Sequence, residues 1–362
     1  MTRAMLLRYI VISLAAFGLM AQEDLPERTF RASVSEVVAP VTVTTMGGSY
    51  VNGLEARDFR LYDNDKLQDI RLDVTYSPIS MVVAIQKNSG VEGMLPNIKK
   101  IGNMLEANVI GQHGEAMLMA FDHRMKIIQD WTNDGEEFSR ALERLMAGSS
   151  TSAMVDAVFF SVNELRKRPA DHRRIILLIS ETRDKGSQGK LKDALIEAEI
   201  HNVIIYTVNI DRAKAMWTRT PQVKGNSPFP AASNPMPGGG GMVPATPHMT
   251  EQLNGQQSMT FVPLIKEVFI QTKSLFIPNK AEVFTQYTGG REYGFTNLSN
   301  LGRALSDLGE ELHSQYILSY QPNNPEDAGY HEIRVEVNRP NLEVRARQGY
   351  WAAARFEQGA EN

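Results

Sequence analysis

The sequence predicts an α/β protein: a doubly wound, mainly parallel sheet covered by helices, inserted into a small β-sandwich-like unit formed by the N- and C-terminal segments. Three observations predict it. Between residues 78 and 314, short all-apolar segments alternate with segments of helical spacing, the pattern of a parallel sheet buried on both faces. Residues 28–76 and 315–351 read as strands, and within them Asp69–Tyr76, His331–Val337 and Leu342–Arg347 alternate polar and apolar side chains with period two, the mark of half-buried strands. A few strands at each end are too few to bury a core alone. Pairing them brings the ends of the chain together, as insertion of one domain in another requires.

Taken in order, residues 1–21 read as a signal peptide. Arg3 and Arg8 precede an apolar run from Tyr9 to Met20, and Ala21 stands before the polar Gln22-Glu23-Asp24. A membrane anchor needs ~20 apolar residues, and this run is shorter. Leu19 is larger than the cleavage position prefers, so Gly18 is a second candidate for the cut. Arg31 to Thr45 is rich in Val and Thr, and Asp69 to Tyr76 alternates cleanly. Asp63-Asn64-Asp65 is the turn before it. In the middle unit, Ile79–Ile85, Ala116–Phe121, Arg174–Ile179 and Val203–Val208 are strands. Pro96–Ile110, Glu136–Met146, Ala153–Arg168, Lys190–His201 and Leu298–His313 are helices. Residues 219–258 hold 7 of the 17 prolines and the run Gly238-Gly239-Gly240-Gly241. That composition buries too little surface to offset ordering entropy, so it reads as a disordered insert. Tyr316–Tyr320, His331–Val337 and Leu342–Arg347 close the chain as strands, with Asn338-Arg339-Pro340-Asn341 turning between the last two.

Composition narrows the function. The chain of 362 residues carries a net charge of −4, and loss of the leader's two arginines makes it more acidic still. A chain of that charge has no electrostatic footprint for nucleic acid. With no cysteine there is no disulfide, no thiolate zinc site and no Cys nucleophile. The sequence holds no phosphate-binding Gly-x-x-x-x-Gly-Lys, no His-Glu-x-x-His and no Gly-x-Ser-x-Gly. These absences weigh against an enzyme. One catalytic alternative is a hydrolase using Asp122 and His123 after the second strand of the middle unit.

In open α/β sheets, ligands bind beyond the carboxyl ends of the strands. Three loops lie there: Gln86-Lys87-Asn88-Ser89-Gly90, the stretch from Gly148 through Ser152 to Asp156, and Ser180-Glu181-Thr182-Arg183-Asp184. With the elements in this order, the chain resembles a von Willebrand factor type A (vWA) domain protein, of the secreted bacterial VWFA-related acidobacterial variety. Val51–Phe59 followed by Tyr62-Asp63-Asn64 resembles that family's entry pattern. Tyr287-Thr288-Gly289-Gly290 resembles its Thr-Gly-Gly turn. Gln315–Pro322, Tyr330–Val335 and Arg345–Tyr350 resemble its tail. The resemblance spans nearly the whole chain beyond the leader. It implies a Rossmann-like vWA fold and protein binding or adhesion rather than catalysis.

The resemblance also implies a metal-ion-dependent adhesion site. An Asp-x-Ser-x-Ser follows the first strand, a Thr comes from the second loop and an Asp from the third. In this chain the first Asp falls on Gln86, the serines on Asn88 and Gly90, the Thr on Ser152 and the last Asp on Glu181. Ser89 could replace a lost hydroxyl if the loop shifts by one. One carboxylate stands where two are expected, and a hard divalent cation wants an octahedron of charged and neutral oxygens. Losing one such charge costs several kcal/mol at an effective dielectric of about 20. Lys87 adds a cation beside the site. The expectation is a degenerate site with no cofactor; Mg²⁺ or Mn²⁺ binding through an unusual shell is the alternative. Gln86, Lys87, Asn88, Ser89, Ser152, Glu181 and Asp184 form the candidate protein-binding face, against the plainer reading that they only bond loop ends together. The further expectations are an unidentified protein partner, no nucleic acid, no stable membrane insertion after leader removal, and a secreted or periplasmic location.

Overall fold

The computed structural model describes residues 36–73, 77–105, 114–210, 279–323 and 329–352. The leader at 1–21 and the insert at 219–258 lie outside the described residues. The first part supplies β1 (Val37–Thr45), β2 (Phe59–Asp63), β3 (Lys66–Leu67) and β4 (Ile70–Asp73). Asn64 and Asp65 both take positive φ, 47° and 63°, so the hairpin from β2 to β3 turns on two residues that tolerate the left-handed region.

The middle supplies β5 (Ile79–Gln86), β6 (Glu115–Phe121), β7 (Met125–Thr132), β8 (Arg173–Ser180), β9 (Val203–Ile210) and β10 (Glu292–Phe295). They form one sheet in the order β10-β9-β8-β5-β6-β7. All neighbours are parallel except β6 and β7. Every residue of β5 is buried, because helices cover both faces. On one face lie helical turns at 92–105, α1 (Gly135–Glu143) and the last helix, Leu298–Ser314; on the other lie α2 (Met154–Leu165), α3 (Leu191–Ile200) and α4 (Lys280–Thr288). α5 (Leu298–Ser314) buries Leu301, Leu305, Leu308 and Leu312 at helical spacing. Side-chain caps start three helices: Asp134 accepts from Glu136 and Glu137 N–H, Asn279 from Glu282 and Asn297 from Asn300.

The end supplies β11 (Tyr316–Tyr320), β12 (Gly329–Val337), β13 (Leu342–Ala346) and β14 (Gly349–Ala352). Two antiparallel sheets result, β13-β1-β11-β4 and β14-β12-β2-β3. Each interleaves strands from both ends of the chain, and Val41, Leu61, Leu318 and Ile333 share one core between them.

Some elements differ from the sequence reading. Of the helix expected over 96–110, residues 106–110 lie outside the described residues, and the rest belongs to a series of short α and 3-10 turns across 92–105. Gly102 lies within it, and a Cβ there would come within 2.1 Å of Ser139 Oγ, so the segment packs closely on α1 at the cost of a weak helix former. β7, β10, β14 and α4 are additional. The Thr-Gly-Gly turn has a physical reason. Thr288 Oγ1 accepts the Ile205 N–H at 2.9 Å, and Gly289 ends α4 at φ 81°. At Gly290 a Cβ would stand 1.9 Å from the Ile205 carbonyl oxygen.

Candidate functional site

The strand order reverses at β5, whose neighbours are β8 and β6. The crevice beyond the carboxyl ends of β5 and β8 is therefore the switch point where such sheets bind ligands. Gln86 ends β5, and Glu181 follows the last residue of β8. The Glu181 backbone N–H donates to Gln86 Oε1 at 2.9 Å. That bond fixes which way the carboxamide faces. Its Nε2 then donates to Asn88 Oδ1 at 2.9 Å and to Glu181 Oε1 at 3.1 Å. A Cβ on Gly90 would lie 3.2 Å from that Asn88 oxygen and 3.3 Å from that Glu181 oxygen. The Ser152 carbonyl accepts the N–H groups of Lys185 and Gly186. Its hydroxyl is buried and makes no hydrogen bond. Gln86, Asn88, Ser152 and Glu181 are 0–6% exposed, so they are a floor rather than a contact surface.

These residues do not fit the divalent ion that the resemblance implies. A cation needs convergent oxygen lone pairs. Here an NH₂ group points between the two side-chain oxygens, and Gln86 Oε1 is engaged by a backbone N–H. Glu181 alone of the set carries formal charge. Among the described residues, no group of three or more His, Asp or Glu side chains is arranged to hold a metal ion.

The other members of the expected face are tied into the loops. Lys87 Nζ pairs with Asp122 Oδ2 at 3.0 Å. Asp122 also accepts the N–H groups of Arg124 and Ser149. Burial pushes its carboxyl up, but those two N–H groups and the Lys87 ammonium outweigh it and hold the group well below the usual carboxylate range. Gly148 leaves room for that pair, since a Cβ would stand 2.4 Å from Asp122 Oδ2. The Ser89 N–H donates to the Ser149 carbonyl. Asp184 pairs with Lys280 Nζ at 2.9 Å, its carboxylate buried. Asp156 accepts the N–H groups of Gln188 and Gly189 and so shapes the loop before α3.

His123 Nδ1 lies 2.7 Å from Ser149 Oγ and 3.3 Å from Asp122 Oδ1. A serine–histidine–acid relay needs the serine and the acid on opposite ring nitrogens. Both meet the same nitrogen here, so the arrangement is not that of a triad.

Beside Glu181, at the carboxyl ends of β8, β9 and β10, lies a cleft of about 470 Å³. Glu181, Arg183, Asn209, Glu292, Phe295 and Thr296 line it. Asn209 and Asn279 amides hold the two oxygens of Glu292 at 2.8 and 3.2 Å. No sequence pattern marks this cleft, because a strand as short as Glu292–Phe295 carries little periodicity. Among the described residues no helix is long and apolar enough to cross a membrane.

No family model and no curated protein matches the sequence. Solved structures do. BatB from Bacteroides thetaiotaomicron, a conserved hypothetical protein, is 13% identical over 36% of this chain and 66% of its own, with a TM-score of 0.32. A von Willebrand factor type A protein from Catenulispora acidiphila is 9% identical over 89% of this chain and 64% of its own, at 0.44. The SpRpn10 VWA domain is 13% identical over 39% of this chain and 79% of its own, at 0.31. The chain thus spans just under two thirds of the length of the first two. Two of these three structures are von Willebrand factor type A domain proteins, the family this sequence resembles, and the likeness is one of fold alone.

Proposed function

We propose that this chain is a secreted or periplasmic, non-enzymatic protein-binding module of adhesion type, with a degenerate metal-ion-dependent adhesion site. The observation that carries this reading is the Gln86 carboxamide, which bonds to both loops where a cation would otherwise join them. The leader-like residues 1–21 support export. The same-nitrogen geometry at His123 supports a role other than hydrolysis. The partner contact falls at the cleft beside Glu181, at the sheet end where this fold class places its ligands. With no cation, the cleft offers nothing for a partner carboxylate to complete. Glu181 and Glu292 outnumber Arg183 there and favour a basic group.

The test is a crosslinked pull-down from the native envelope, with wild type and Thr296→Arg, each in EDTA and in Mg²⁺. Capture should be the same in both buffers and fall at least tenfold in Thr296→Arg. Undiminished capture by Thr296→Arg, or capture that needs Mg²⁺, would overturn the reading.

A further inference from the structure

We infer that the Gln86 carboxamide is a built-in substitute for the divalent cation: its NH₂ group sits at the cation's position and locks the loops after β5 and β8 into one state. The inference deepens the metal-free reading proposed above. Partner capture plays no part in its test, so either can fail alone.

Three bonds from one side chain span both loops. Oε1 takes the Glu181 backbone N–H, and the two N–H bonds of Nε2 go to Asn88 Oδ1 and Glu181 Oε1. A cation would gather such oxygens by charge; the amide gathers them through two polarised hydrogens and brings no net charge. It therefore leaves one carboxylate without a second one beside it, which is why a single Glu suffices. One of the bonds is charge-assisted, the stronger kind. The surroundings fit the amide as well. The residue at 90 has no side chain, and a Cβ there would already be tight against both oxygens that the amide holds. A serine at that position would crowd the bridge. The neighbouring rim repeats the device with a charged group, since the Lys87 ammonium bridges to the buried Asp122 carboxylate from the loop after β6. Cations from the protein itself, or their polar equivalents, thus hold the upper rim.

Thermal melting of the whole chain tests this, with Gln86→Glu and Gln86→Ala beside wild type, each in EDTA and in millimolar Mn²⁺. Gln86→Glu keeps the shape and the acceptor for the Glu181 N–H but sets a second carboxylate against the first. Wild type should melt at the same temperature in both buffers. Gln86→Glu should melt about 5 °C lower in EDTA and recover in Mn²⁺. Gln86→Ala should melt lower by a similar amount in both, with no recovery. The inference is overturned by any of three results. Mn²⁺ could raise the wild-type melting temperature, Gln86→Ala could melt like wild type, or a destabilised Gln86→Glu could fail to respond to Mn²⁺. If Gln86→Glu does not fold, the wild-type and Gln86→Ala comparisons still decide it.

Discussion

Glu199 lies on the buried side of α3, where its Oε2 accepts the backbone N–H of Trp351 at 2.9 Å. Burial pushes its carboxyl up to about 7, and Arg347 and the Trp351 N–H draw it back only in part. In the unfolded chain the group ionises near 4.5. Between those values the folded state holds the extra proton, so stability falls as pH rises from about 4.5 to 7. The loss attributable to this group is roughly 3 kcal/mol. Glu199→Gln keeps an acceptor for Trp351 and removes the ionisation. Urea midpoints at pH 5 and pH 8 should therefore differ less in Glu199→Gln than in wild type, with the variant the more stable at pH 8. Parallel pH profiles would show that the carboxyl ionises freely. No spacing in the sequence marks Glu199, because its environment comes from Arg347 and Trp351, about 150 residues away in the chain.

At the scale of elements, one buried carboxylate joins four strands. Asp63 closes β2. Its Oδ1 meets His331 Nδ1 of β12 at 2.7 Å, and its Oδ2 accepts the hydroxyls of Tyr320 in β11 and Tyr350 in β14 at 3.0 and 2.8 Å. All four side chains are buried. Burial pushes the Asp63 carboxyl up, but the hydrogen bonds from His331 and the two tyrosines prevail and lower it. Asp63→Ala takes away the acceptor shared by a buried imidazole and two hydroxyls, and should cost about 3–5 kcal/mol in chemical denaturation. Asp63→Asn keeps an acceptor and should cost less; equal losses would put the cause in packing rather than bonding. The sequence places Asp63 in a turn and in the entry pattern of the resemblance, and neither shows the partners it gathers from β11, β12 and β14. It found β5, β6, β8 and β9 because fully buried strands are continuous apolar runs. It missed β7, an edge strand whose register shifts near Gln129 and whose Ile127 is exposed, so neither period nor burial is regular. At the rim, the sequence pattern places Gln86, Asn88, Ser152 and Glu181 at strand ends or before a helix, and their correspondence to a metal site is what the resemblance implies. Whether they form a surface is not legible in the pattern. Lys87 and Asp184 are engaged by Asp122 and Lys280, partners that pattern cannot pair.

Over the whole molecule, the β-unit is joined to the α/β unit by charges as well as apolar contact. Arg345 of β13 reaches across to α5, where Nη2 forms an ion pair with the fully buried Glu311. Its Nη1 donates to the carbonyls of Gly289 and Gly290, beyond the end of α4. Trp351 of β14 meets Glu199 of α3, and Lys192 stacks on the Trp351 ring at 4.4 Å. The strands that hold these groups come last in the chain, yet they touch helices from its middle. Removing Arg345 takes the nearer guanidinium from Glu311 in a site closed to water and leaves it the longer contact with Arg291, at 3.9 Å. Arg345→Met should thus lose about 3–5 kcal/mol, whereas Arg345→Met combined with Glu311→Leu should recover most of it, because an apolar pair can replace a buried ion pair at little cost. Calorimetry reads the coupling directly. Wild type should unfold in one transition, since each unit buries part of the other. In Arg345→Met the weakened junction should let the β-unit melt first and split the transition in two. If the single and double variants melt alike, the stranded Glu311 charge is not what Arg345 neutralises, and the two units are held by their apolar contact alone.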